Sequence, residues 1–285
     1  MMFTGAAARC EVRVTSRVYP RPRRSAGSIS GGRPTIITDR SAARRTRQWW
    51  GIATLLLATG ALLAAGRAAV TMVYLSVAYR DQLNPITRPA SYYVYVDGGR
   101  GPFETSSILL ALGVFGLLIG MAGAGVRMAG RPTVLFGIWA CCMLLAAIFP
   151  TDDSPDIETL AGLIHQFAGA GILALLSFAG LAAAPRLAES PAWRPVVGIV
   201  RLLSIGAALL ATGYVMTRLV QLDPAMLTLF GGVDIGGILQ RMVFGFDIGV
   251  IAALAVHLVR VSWHALRAWR DASVAARPRP SPPCP

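Results

Sequence analysis

Lysine is missing altogether from this chain of 285 residues, and all 27 of its basic residues are arginine. Chemistry rarely bans lysine outright, so the absence reads as the codon bias of a GC-rich genome. Charge of either sign is scarce, at 14% of residues, where soluble domains carry about 25%. That shortage, with 54% hydrophobic residues and several apolar runs of roughly 20 residues, excludes an ordinary soluble domain. Cysteine is sparse too. Cys10 and Cys284 lie in the tails, and Cys141 and Cys142 sit side by side in an apolar run. None is placed for a loop disulfide or a zinc site, and the adjacent pair reads as small core hydrophobes. No G-x-S-x-G, H-E-x-x-H or phosphate-cradling loop occurs. No catalytic residue, cofactor or metal is therefore expected.

What is present is a membrane chain in three parts. Residues 1–48 hold 11 arginines among Ser, Gly and Pro without an apolar run, and read as a disordered basic arm. Residues 49–260 carry six apolar spans, near 49–79, 106–126, 133–149, 160–184, 196–217 and 236–259. Residues 261–285 place Trp263, Leu266 and Trp269 opposite Arg260, His264, Arg267 and Arg270, the pattern of an interfacial helix, before a Pro-rich tail. Within the loop 80–105, SYYVYVDGG (91–99) alternates and then turns, which suggests a short hairpin. AMLTLF, within 218–235, has the composition of an interfacial segment. The fold expected is an all-α, six-span transmembrane bundle.

Orientation follows from arginine placement. With both termini on one side, that side collects 20 arginines against four acids; the other holds four against nine. The positive-inside rule then puts both termini in the cytoplasm of a plasma-membrane protein. Topology accounts for the net charge of +13, so membrane lipid is the expected partner and nucleic acid is not.

Few polar groups fall inside the spans. Arg201 lies close enough to a span end to snorkel. Arg67 and Asp247 lie about 17 Å deep at 1.5 Å per residue, where a charge needs a companion. They are expected to pair, with Gly245 and Gly249 letting a helix approach Asp247. Gln240 precedes Asp247 by seven residues. At the end of the bundle away from the termini, Asp152 and Asp153 close the third span, His165 stands just inside the fourth, and Arg241 just inside the sixth. His165, Asp152, Asp153, Arg241 and Gln240 are the candidate lining of an outward polar pocket. Gly116 and Gly120 read as packing positions.

Four stretches carry a resemblance to a family: DQLNPITRPASYYVYVDGGRGPFE (81–104), FPTD (149–152), GLIHQF (162–167) and GILQRMVFG (237–245). In order and spacing they resemble the bacterial membrane proteins grouped as domain of unknown function 998, over about residues 50–260. The resemblance implies about six spans and supplies no reaction. Many members have a second histidine four residues before the position of His165; here that residue is Ala161, which weakens a paired-histidine metal or catalytic site.

Three functions remain in view. One is a non-enzymatic protein that binds a lipid or small ligand in the outward pocket, or serves as an assembly partner of another membrane protein. A second is a small-molecule or proton-coupled transporter using Arg67 and Asp247. The third is an enzyme acting on lipid at the outer face, with His165 and an aspartate as acid and base.

Overall fold

A segment in hydrocarbon has no water to satisfy its peptide groups, so it must bond them internally as helix. The computed structural model describes residues 40–126, 128, 130–154, 156–222 and 234–275. Among the described residues the α-helices are α1 (Arg40–Ala78), α2 (Arg100–Gly123), α3 (Arg131–Ile148), α4 (Leu160–Ala188), α5 (Arg194–Leu222) and α6 (Gly236–Ala275). Each contains a stretch long and apolar enough to cross a membrane by length and composition. The described residues contain no strand. The end where α1 begins and α6 stops is called basal; the end carrying the 79–99 and 149–159 segments is called distal.

Local chemistry sets the helix ends. Thr159 caps α4 by accepting the Gly162 amide at 2.9 Å. Pro132 stands in the first turn of α3, where its missing N–H costs nothing. Gly125 ends α2 at φ +73°. There Val126 N bonds Met121 O and Gly125 N bonds Ala122 O, the paired closure that requires a left-handed residue.

Successive helices α2 to α6 pack as neighbours, and α6 also reaches α2 and α4. The core between them is built on Phe136, Trp139, Leu176, Ile251 and Leu254, all essentially inaccessible. Trp139 settles its one polar atom by donating to Ile172 O at 2.9 Å. Along α2, Gly113, Gly116 and Gly120 abut Ala61, Ala64 and Leu57 of α1. The glycines let the two helices approach closely there.

The structure departs from the sequence reading at several places. Residues 91–99 do not form a hairpin. Ala90–Tyr95 is a 3₁₀ helix whose buried residues are Ala90 and Tyr93, and Val96, which closes it, is buried as well. A spacing of three is what a 3₁₀ turn puts on one side. α1 is already helical at Arg40, so the last nine residues of the arm expected to be disordered are helix. The segment after residue 260, read as an interfacial helix, is helical and continuous with α6, which runs unbroken to Ala275. At 40 residues α6 is about 60 Å long, twice a hydrocarbon core. No Gly or Pro interrupts it after Gly249, and Leu266 packs over Gly51 of α1. Cys142 packs against Gly171, but Cys141 is exposed rather than in the core. The remainder of the basic arm, AMLTLF and the Pro-rich tail lie outside the described residues.

Candidate functional site

Two clasps close the distal end. The first joins the end of α3 to the start of α4. The Asp152 carboxylate accepts the Thr159 hydroxyl at 2.6 Å and the Glu158 amide at 3.0 Å. It lies against Gly162, where any Cβ would overlap Oδ2. The Thr159 hydroxyl, then the Glu158 amide, hold the Asp152 carboxyl below the usual carboxylate range. One turn further on, His165 is 6% exposed and its Nδ1 lies 2.8 Å from Phe149 O. A carbonyl only accepts, so Nδ1 carries a proton, and in the neutral ring Nε2 is then the acceptor.

The second clasp joins the start of α6 to the 81–96 segment. Ile238 N donates to Ile86 O at 2.9 Å. A Cβ on Gly237 would lie 2.5 Å from Arg88 O, so only glycine lets these backbones meet. Gln240 Oε1 accepts the Ala90 amide at 2.8 Å, which leaves the Gln240 amide nitrogen as a donor. Arg241 is 8% exposed and is bonded through every guanidinium nitrogen. Nη1 donates to Pro85 O, Arg88 O and Gly237 O at 2.8, 2.8 and 3.0 Å. Nε donates to Ser76 Oγ and Nη2 to Tyr93 Oη. The positive charge is thus solvated by oxygen dipoles and by the Tyr93 ring. Tyr95 links the two clasps by donating its hydroxyl to Thr151 O. Burial, then the nearby Asp153 and Asp152 charges, push the Tyr95 hydroxyl's pKa up.

Beneath the clasps lies a cavity of about 60 Å³ between α1, α2, α3, α4 and α6. Its walls are mostly apolar, including Met72, Leu75, Phe103, Leu110 and Phe244. Its polar lining comes from His165, Gln240, Thr71, Ser91, Ser106 and Ser107. Ser106 donates to Thr71 Oγ1, and Ser107 to Phe103 O. The room suits a few waters or a fragment of several heavy atoms.

Of the five residues expected to share a pocket, His165 and Gln240 line this cavity, and the other three do not. Asp152 is occupied in holding Glu158 and the α4 cap residue Thr159, and Asp153 is exposed at the surface. Arg241 does not answer the acids, because its hydrogen-bonding capacity is taken up by the 81–96 segment and by Ser76. Sequence reasoning also missed Tyr93, fully buried against Arg241. Its signal was the spacing of three in Ala90, Tyr93 and Val96.

The expected ion pair is not formed. Arg67 is on the exposed side of α1 and makes no hydrogen bond or ion pair among the described residues. Asp247 is 1% exposed, with neither carboxyl oxygen partnered. Depth was estimated along each helix, but rotation about the helix axis decides facing, and α1 turns Ala64, Ala65 and Ala68 inward instead. A lipid-facing arginine costs at least ~2.5–3.5 kcal/mol near the bilayer centre. Gly245 also fails its expected role: nothing approaches it within 4 Å, whereas Gly249 does pack against Leu203. Among the described residues no three His, Cys, Asp or Glu side chains are grouped to hold a metal ion.

Six apolar helices, with their polar residues drawn into clasps at one end, define a multi-pass helical membrane protein. The chain belongs to the family described as protein of unknown function (DUF998), which matches residues 62–257. Curated proteins offer no match to it, nor do solved structures.

Proposed function

We propose that this is a non-enzymatic, multi-pass protein of the plasma membrane that binds a small uncharged ligand at its distal end. The arginine distribution supports cytoplasmic termini by the positive-inside rule, and on that reading the cavity belongs to the half of the bundle away from the cytoplasm. The observation that carries the reading is the convergence of His165 and Gln240 on one apolar cavity. His165 offers an acceptor at Nε2, and Gln240 offers a donor through its amide. A hydroxyl bearing a short apolar segment satisfies both, donating to Nε2 and accepting from the Gln240 amide: part of a lipid head, or a small free molecule. The volume does not suit a whole lipid. Catalysis is less well supported, since Asp152 is engaged in a cap and His165 Nδ1 in a backbone bond. Transport is less well supported as well, since its coupling pair is separated.

Native mass spectrometry of gently extracted protein tests the reading. Gly169 lines the cavity, and a Cβ there would meet nothing within 4 Å, so Gly169→Leu can project its side chain into the space. The wild-type protein is expected to carry a small adduct that Gly169→Leu and His165→Ala lose. An adduct that survives Gly169→Leu, or a wild type without one, overturns the proposal.

A further inference from the structure

The outer surface of α1 carries a seam. Leu56, Gly60, Leu63, Arg67, Val70 and Tyr74 are all exposed, and successive members are four or three residues apart in alternation. That spacing is the one by which a helix presents a continuous stripe to a second helix. Leu63 and Val70, on either side of Arg67, are each 69% exposed. A Cβ at Gly60 would meet nothing within 4 Å, which leaves room for a close approach.

An apolar stripe alone can face acyl chains. An arginine in its middle needs a counter-charge or a route to water. Arg67 is 17 residues past Trp50 and 11 before the end of α1, about 25 Å and 16 Å from those levels. Its nearer boundary is the distal one. Helical side chains lean toward their own N-terminus, so Arg67 leans toward the basal end, away from that boundary. α5 is as exposed as α1, but its Arg201 is only seven residues from the helix start and reaches the basal surface easily.

We propose that this seam docks a transmembrane helix of a different membrane protein, one that carries a carboxylate near mid-membrane. A second copy of this chain does not fit. Pairing through the same seam sets Arg67 against Arg67. The spans otherwise offer Asp247, which is buried, Glu104, bonded to Arg100 near the distal end of α2, and Asp271, paired with Arg270 near the basal end of α6 and far from the level of Arg67. The rest of this chain does not fit either. Residues 1–39 hold seven arginines and no apolar run, residues 223–233 are too few to span, and residues 276–285 include five prolines. The surviving complement is an apolar helix from another protein with one acid at the level of Arg67.

The test uses the full-length protein, donor-labelled, in vesicles of neutral phosphatidylcholine. The probes are acceptor-labelled synthetic apolar transmembrane peptides with a single central Asp or a single central Asn. Energy transfer is expected to report at least tenfold tighter association of the Asp peptide. Arg67→Gln is expected to erase that preference, and Gly60→Phe, which has open space to occupy, to weaken both peptides. Three results would overturn the proposal. One is equal binding of the two peptides. Another is a preference that survives Arg67→Gln. The third is an Asp preference that disappears once anionic phosphatidylglycerol is added, which would assign Arg67 to lipid phosphate.

Discussion

Arg241 Nη2 donates to Tyr93 Oη at 3.0 Å, and the guanidinium carbon lies 5.4 Å from the centre of the same ring. The two residues are 148 positions apart, yet they hold the distal end shut. Tyr93 sits in the 3₁₀ turn, and Arg241, on α6, also holds the loop just before that turn through the Pro85 and Arg88 carbonyls.

Arg241→Met is therefore expected to destabilise the protein by at least ~3 kcal/mol, because the carbonyls it satisfies lose their donor. Arg241→Lys recovers only part of this, since an ammonium lacks the planar fork that reaches five oxygens. Thermal unfolding in detergent measures both. A loss below ~1 kcal/mol for Arg241→Met would show that the clasp is not what secures the loop.

Gly237→Ala should cost about 1–3 kcal/mol, as its methyl meets the backbone of Arg88 and Pro85 rather than a movable side chain. Gly60→Ala, with open space around it, serves as the control and should be neutral or slightly stabilising. The same melting assay compares them.

The Asp152 cap has a definite pH sign. Its carboxyl titrates below the ordinary range because the Thr159 hydroxyl and the Glu158 amide bond the ionised form. A depressed folded value means that the stabilisation is fully present above the unfolded value near 3.9 and is lost as pH falls through the folded one. Hydrogen exchange at the Glu158 and Thr159 amides, corrected for intrinsic rate, should stay slow from pH 7 to about 5 and quicken at about 4 and below. Asp152→Asn should be less protected at neutral pH and lose that acid limb. Protection that is independent of both pH and the substitution would remove the cap from the argument.

Asp247 gives the clearest test of the separated pair. Its oxygens are unpartnered, so Asp247→Asn should change stability little, and Asp247→Val should stabilise by about 1–3 kcal/mol by removing buried polar atoms. Arg67→Gln should not be coupled to either change. A double-mutant cycle with an interaction energy above ~1 kcal/mol would restore the pairing.

The residues that govern the distal end were legible one by one, and their partners were not. His165, Gln240, Asp152 and Arg241 stand out in the sequence because polar groups near an apolar span are conspicuous. The sequence suggested one pocket lined by all of them. The structure gives Asp152 to a helix cap and Arg241 to a loop, and leaves His165 and Gln240 facing a cavity.

Composition and the length of the apolar runs were enough to determine six membrane-spanning helices, since in hydrocarbon a chain of this kind satisfies its peptide groups in no other way. The family motifs, too, were readable in order. Tertiary structure alone decided which way each polar side chain turns about its helix axis. Arg67 and Asp247 are at matching depths by residue count, yet one is exposed and the other is sealed inside. Rise along a helix is set locally at 1.5 Å per residue, whereas its rotation is set by the neighbours against which it packs.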